Sequence, residues 1–280
     1  MSTRALVLGG GGVAGIAWEI GVLTGLADSG VDATGADLVV GTSAGSTVAA
    51  QVTGNLSLED LFARQVDPAR SPAELAAPSS LADLEQFFAE AVAATSSAME
   101  LRVAVGAMAL TTDTVPEEER LKIIAGRLPS HTWPDRPVRI VAVDALTGEE
   151  RVFDEGGTVP MVDAVAASSA VPGVWPPVTV DGRRYIDGGF RSVLNADLAE
   201  GYDSVLILAP IDELLPVTSD VSGGMDRLRA GSRVQFVRPD EASVTAFGPD
   251  LLDPAIRGPV ARAGRDQGRA VAGSVESLWG

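Results

Sequence analysis

The 280-residue sequence contains no cysteine and only one histidine, His131. The first absence removes disulfides, thiolate metal sites and a cysteine nucleophile from consideration. It also fits a reducing compartment. Positive charge is scarce as well, with 21 Lys and Arg against 38 Asp and Glu for a net charge of −17. A surface this acidic repels nucleic-acid phosphates and anionic lipid headgroups. No nucleic-acid partner is therefore expected, although a single lipid molecule can still be taken up as substrate. No run of 18 apolar residues occurs, so no integral membrane segment is expected. The apolar stretch at 5–8 is too short for a secretory leader and dissolves into glycine. It reads as a first strand, and the chain as cytoplasmic. Aromatic residues make up only 5%, but 46% of the sequence is hydrophobic, enough for a sizeable core. The expectation is one domain over 1–280.

Glycine is abundant, at 31 residues, and it concentrates informatively. Gly9-Gly10-Gly11-Gly12-Val13-Ala14-Gly15 follows the apolar run at 5–8 and precedes a helical pattern at 14–26. Gly41-Thr42-Ser43-Ala44-Gly45 follows a second short apolar run at 37–40 and precedes a helical pattern at 44–52. Strand, turn, helix, repeated, is the alternation of a parallel α/β sheet. Residues 56–128 show no strand pattern. Helices are expected around Leu58, Leu61 and Phe62, around Leu81, Leu84, Phe87, Phe88 and Val92, and over 117–128. Such an insertion suits a cap over the site and equally suits the covering of a sheet face. Strands return at 138–143, 151–153, 204–208 and 234–237, with a helix over 159–167. A hairpin over 178–186 turns at Asp181-Gly182. In the tail, Arg257, Arg262, Arg265 and Arg269 recur at nearly helical intervals and read as a solvated face.

The first glycine string matches the G-x-G-x-x-G fingerprint of dinucleotide-binding proteins. That reading also needs an acidic residue at the carboxyl end of the second strand to hold a ribose. That strand ends in Gly41-Thr42-Ser43, and Asp37 stands at its other end. The alternative uses the same physics for another anion. Unpaired N–H groups at a helix N-terminus carry partial positive charge, and glycine lets a reacting carbonyl oxygen come close. The loop then reads as an oxyanion hole.

The second string is G-x-S-x-G in the strand–turn–helix context of a nucleophile elbow. A serine N-cap on an ordinary helix is the competing reading. A hydrolytic serine needs a base, and His131 lies in a loop-like sequence with no later histidine to complete a triad. A carboxylate in a dry site can take that role. Asp187 in Tyr185-Ile186-Asp187-Gly188-Gly189 is the best placed, although an Asp-Gly turn alone would account for the string.

Together these residues resemble the patatin-like phospholipase family, which pairs a glycine-rich loop, a G-x-S-x-G serine and an Asp-Gly-Gly aspartate without histidine. The segment Ala167-Ser168-Ser169-Ala170-Val171-Pro172-Gly173-Val174-Trp175-Pro176-Pro177 also resembles a family block. The resemblance spans roughly 5–210. It implies a three-layer α/β/α fold with a mostly parallel sheet, and a lipase- or phospholipase-like esterase that needs no cofactor and no metal. It implies Ser43 as nucleophile, Asp187 as dyad acid, and Gly10, Gly11 and Gly12 as the oxyanion loop. The family's loop usually carries Arg or Lys where this chain has Ala14. That departure keeps a non-catalytic protein, binding acyl ligands or a partner, as the alternative, ahead of a dinucleotide-dependent oxidoreductase.

Overall fold

The computed structural model describes residues 2–77, 84–211 and 223–279. Five of its strands are parallel: β1 (Arg4–Leu8), β2 (Leu38–Gly41), β3 (Val138–Asp144), β7 (Ser204–Leu208) and β8 (Arg233–Val237). The other three, β4 (Glu150–Phe153), β5 (Val178–Val180) and β6 (Arg183–Asp187), join as antiparallel additions around β3. The order is β5-β6-β3-β2-β1-β7-β8, with β4 also on β3. The expected hairpin is β5 and β6. Asp181 and Gly182 at its tip both have positive φ, 51° and 76°, as a tight two-residue hairpin turn requires.

Alternation along β1 explains the layers. Leu6 and Leu8 face a core shared with α1 (Gly12–Asp28), α2 (Ala44–Val52), α7 (Met161–Ser168) and α10 (Arg257–Trp279). Ala5 and Val7 face the opposite core, which Leu38, Val40, Val205 and Ile207 share with Leu228 of α8 (Gly224–Gly231). Beyond it, α4 (Glu85–Ala94) and α5 (Ala98–Thr111) pack Phe88, Leu101 and Val105 against Val143 and Ile186. Helices on both faces of a mostly parallel sheet make a three-layer α/β/α fold.

The register at β3 positions the site. Ile140 pairs with both Gly41 and Phe153, and Ala142 with both Arg151 and Asp187. Since β4 takes one edge of β3, β2 and β6 share the other edge end to end. Asp187 therefore ends its strand just beyond the point where β2 turns into Ser43.

The helical segment divides its work. α3 (Leu58–Val66) packs on α1 and α10, away from the sheet additions, while α6 (Glu117–Arg127) packs on α7 and brings Arg120 and Arg127 to the site. Leu81 of the expected second helix lies outside the described residues. α5 carries no clear amphipathic stripe, and sequence periodicity missed it. It lies close against the sheet, where a Cβ on Gly106 would come within 2.0 Å of the Ala145 carbonyl oxygen.

The tail arginines are a solvated face only in part: Arg262 and Arg269 are exposed, whereas Arg257 and Arg265 are drawn into the fold. Arg257 is buried against Glu74, and Arg265 and Arg269 both pair with Asp28 of α1. Hydrogen bonds from Arg265 first, then Arg269, hold the Asp28 carboxyl at about 2. The packing beneath these pairs is closer than side chains allow. A Cβ on Gly25 would lie 2.0 Å from the Arg265 carbonyl oxygen, and one on Gly268 2.3 Å from that of Val22. Glycine on both helices lets the backbones meet.

Candidate active site

At the end of β2 the chain turns sharply through Thr42 and Ser43 into α2. Ser43 has φ 52° and ψ −111°, a conformation non-glycine residues rarely adopt. Its surroundings hold it there. The Ser43 N–H donates to Ser168 Oγ at 3.0 Å, and its carbonyl accepts from Ser169 Oγ at 3.2 Å and Ser46 Oγ at 2.7 Å. The flanking glycines are steric requirements: a Cβ on Gly41 would lie 2.6 Å from the Gly45 carbonyl oxygen, and one on Gly45 2.0 Å from that of Leu8. This is the geometry of a nucleophile elbow, and it presents the serine at the N-terminus of a helix.

Asp187 is held just as firmly. Its N–H donates to the Ala170 carbonyl at 3.0 Å, and its Oδ1 accepts from the Gly189 N–H at 2.7 Å. Its Oδ2 is buried and has no hydrogen-bond partner among the described residues. Gly188 is confined by the sheet, because a Cβ there would lie 2.2 Å from the Val141 carbonyl oxygen. Burial pushes the Asp187 carboxyl up to about 7, against the opposing pull of the Ser43 hydroxyl and the Gly189 N–H. Although the Ser43 hydroxyl is near enough to act on the carboxyl, no hydrogen bond of normal geometry joins it to Oδ2.

Asn195 ties the elbow to the aspartate loop. Its φ is 49°, and its amide nitrogen donates to Thr42 Oγ1 at 2.9 Å and to the Ser192 and Gly188 carbonyls at 2.7 and 3.4 Å. Arg191 donates to the Asn195 Oδ1 at 2.6 Å and pairs with Asp197 and Glu150. Ser168, Ser169 and Asn195 were not singled out in the sequence. The first two lie within the quoted family block, where adjacent hydroxyls were a usable signal; Asn195 had none.

The glycine loop is unevenly engaged. The Gly9 N–H donates to the Leu208 carbonyl and the Gly10 N–H to that of Val193, both at 3.0 Å. Among the described residues the N–H groups of Gly11, Gly12 and Ala44 have no backbone acceptor. Gly12 has φ +63°, and a Cβ there would lie 2.8 Å from the Leu251 carbonyl oxygen. Ala14 is fully buried in the main core, and its N–H donates to that same carbonyl at 3.0 Å.

Two cavities meet at Gly12, Ser43, Val171 and Leu252. One adds Gly10, Gly11, Asp187, Val193, Ile211 and Leu251. The other adds Glu74, Arg120, Arg127 and Trp175. His131 lines neither; it is exposed, its Nε2 3.0 Å from the Ala125 carbonyl oxygen. Asp37 accepts the Arg4 N–H at 2.8 Å, at the end of the sheet away from the glycine loop. Among the described residues no cluster of His, Asp or Glu is arranged to hold a metal ion. No described helix is long and apolar enough to cross a membrane.

The family model for patatin-like phospholipase matches residues 6–200, and the chain belongs to this family. Similar solved structures include VipD from Legionella pneumophila, at 12% identity and a TM-score of 0.47, with 98% of this chain and 67% of that one covered. Another is the type III effector protein ExoU, at 16% identity and a TM-score of 0.43, with 98% and 53% covered. The chain thus spans about two thirds of the first and half of the second. Membership of the family supports lipid acyl hydrolase activity in general terms.

Proposed function

We propose that the protein is a carboxylic ester hydrolase in which Ser43 attacks a lipid-like acyl ester and Asp187 is its base. The observation that carries this reading is the unpartnered, buried Oδ2 of Asp187 beside a serine held in a strained elbow. A carboxyl raised to about 7 is a far better proton acceptor than an exposed aspartate, yet it is substantially ionised at neutral pH.

Asp187 Oδ2 takes the Ser43 hydroxyl proton as Oγ attacks the ester carbonyl. Charge develops on the carbonyl oxygen, where free backbone donors are most effective. Gly11 and Gly12 have such donors, and so does Ala44, the residue after the nucleophile. The Gly10 N–H, bonded to Val193, serves instead to shape the loop. The tetrahedral intermediate collapses, and protonated Asp187 returns its proton to the departing alcohol. Water, deprotonated by Asp187, then attacks the acyl-enzyme, and Asp187 returns the proton to Ser43 Oγ as the acid leaves. Val171, Val193, Ile211, Leu251 and Leu252 give one cavity apolar walls suited to a hydrocarbon chain.

We treat 1–280 as one functional unit because Leu251 and Leu252 line the site although they lie outside the segment matched to the family. The cysteine-free composition is in keeping with the cytoplasm. Ala14 supports a second reading, a non-catalytic member of the fold that binds acyl ligands. Hydrolysis of short-chain p-nitrophenyl esters separates the two. The first expects turnover that disappears in both Ser43→Ala and Asp187→Asn and persists in His131→Ala. The second expects no turnover above that of Ser43→Ala.

A further inference from the structure

Three arginines converge on one carboxylate beside the nucleophile. Arg120 Nη1 lies 3.0 Å from Glu74 Oε1, Arg127 Nη2 pairs with Oε2, and Arg257 Nη2 lies 3.0 Å from Oε2. All four side chains are at least nine-tenths buried. Burial alone would raise the Glu74 carboxyl, but the charges of Arg127 and Arg120 overcome it and hold the group below its usual range. Among the described residues Glu74 is the one carboxylate in ion-pair contact with these three guanidiniums. Two positive charges are left in excess, in a chain whose net charge is −17.

Uncompensated buried charge is costly, and a buried donor without an acceptor is rare. Arg127 Nε is such a donor. Arg120 shows the strain directly: burial, then repulsion from Arg127, lowers its guanidinium to about 9 despite the pull of Glu74. Its plane is steered by Trp175, whose ring centroid lies 3.7 Å from Cζ. Arg120, Arg127 and Trp175 line the same cavity as Ser43. A planar fork with spare donors suits a phosphate or carboxylate, which supplies two oxygens at once.

We infer that Arg120 and Arg127 form an anion subsite that takes the phosphate or carboxylate of an amphiphilic ester while its acyl group reaches Ser43. The inference rests on the hydrolase reading only for the identity of the ligand as substrate. The excess charge sits where an anionic ligand entering at Ser43 would neutralise it. Ala14 leaves the glycine loop without a cation of its own, and α6 supplies positive charge to the same cavity. The subsite selects anionic amphiphiles against neutral ones, although the acidic surface disfavours docking on an anionic bilayer.

The test is calorimetric binding to the Ser43→Ala protein, which needs no turnover and so stays readable if the hydrolase reading fails. The probes are octyl phosphate, octanoate, octanol and inorganic phosphate. An affinity for octyl phosphate or octanoate at least tenfold above that for octanol and for inorganic phosphate is expected. Adding Arg127→Gln or Arg120→Gln lowers the preference for anion over octanol at least tenfold. Adding Glu74→Gln raises it, a direction that a merely structural cluster would not produce. Octanol binding as tightly as the anions would overturn the inference in the Ser43→Ala protein alone, whatever the folding of the arginine variants. Inorganic phosphate binding as tightly as octyl phosphate would overturn it too, since the site would then serve a free anion.

Discussion

The Asn195 amide donates to Thr42 Oγ1 at 2.9 Å, joining the turn that presents Ser43 to the loop that presents Asp187. A second, longer hydrogen bond, to the Gly188 carbonyl, completes the link. Asn195 touches no reacting atom; it is a positioning residue. Replacing it with Ala leaves the Thr42 hydroxyl and the Arg191 donor without their partner in a buried network. A loss of about 2 kcal/mol in stability is expected from such an unsatisfied pair. Steady-state kinetics distinguish positioning from a general loss of fold. Asn195→Ala lowers kcat about tenfold to a hundredfold with little change in KM, measured well below the melting temperature. A change confined to KM would contradict the assignment.

With Asp187 as the proposed base, activity should follow its ionisation. The base must be deprotonated, and burial sets its carboxyl at about 7. Below that pH, kcat/KM on a neutral ester falls about tenfold per pH unit; above it, the rate levels off. A profile already flat down to pH 5 would remove Asp187 from the role of base.

The same burial costs stability. An aspartate raised from 3.8 to about 7 binds its proton more tightly in the folded state than in the unfolded one. Between these values the folded protein holds more protons, so stability falls as pH rises through that window. Below about 4 the cost vanishes, and above 7 it is fully developed, on the order of 4 kcal/mol. Asp187→Asn removes the ionisation. Its melting temperature at pH 8 should exceed that of the parent by several degrees, with the gap closing towards pH 4, while ester turnover is lost.

The glycines between α1 and α10 are expected to be intolerant. Gly25→Ala places a methyl group 2.0 Å from the Arg265 carbonyl oxygen, a backbone atom that cannot swing aside. The helices must separate, exposing apolar surface along the α1–α10 interface. Urea denaturation should show a loss of at least 2–3 kcal/mol, the range of a large packing defect. Gly273→Ala, on an open face of α10 with nothing near its Cβ position, serves as the control and should be neutral or slightly stabilising.

Local pattern carried much of this molecule. The short apolar runs before Gly9 and Gly41 became adjacent parallel strands, and the helix expected over 44–52 has those same bounds. Sequence spacing could not show that β2 and β6 lie end to end on one edge of β3, the arrangement that brings Asp187 to Ser43. It also could not show which glycine N–H groups are free. Gly10 follows the loop pattern, yet a residue 183 positions later, Val193, accepts its N–H. The tail misled for the same reason. Arg257 and Arg265 carry a surface-like periodicity, but their partners Glu74 and Asp28 are remote in sequence. Long-range partners turned apparent surface charge into packing.

The central claim is that Ser43 is a nucleophile activated by Asp187 without histidine. The most direct measurement is intact-mass and peptide mapping after exposure to a fluorophosphonate probe at pH 8. The account predicts one adduct per chain, on Ser43, formed at an undiminished rate in His131→Ala and at least a hundredfold more slowly in Asp187→Asn. Absence of the adduct from Ser43 in the folded parent protein, or its disappearance in His131→Ala, would contradict the account.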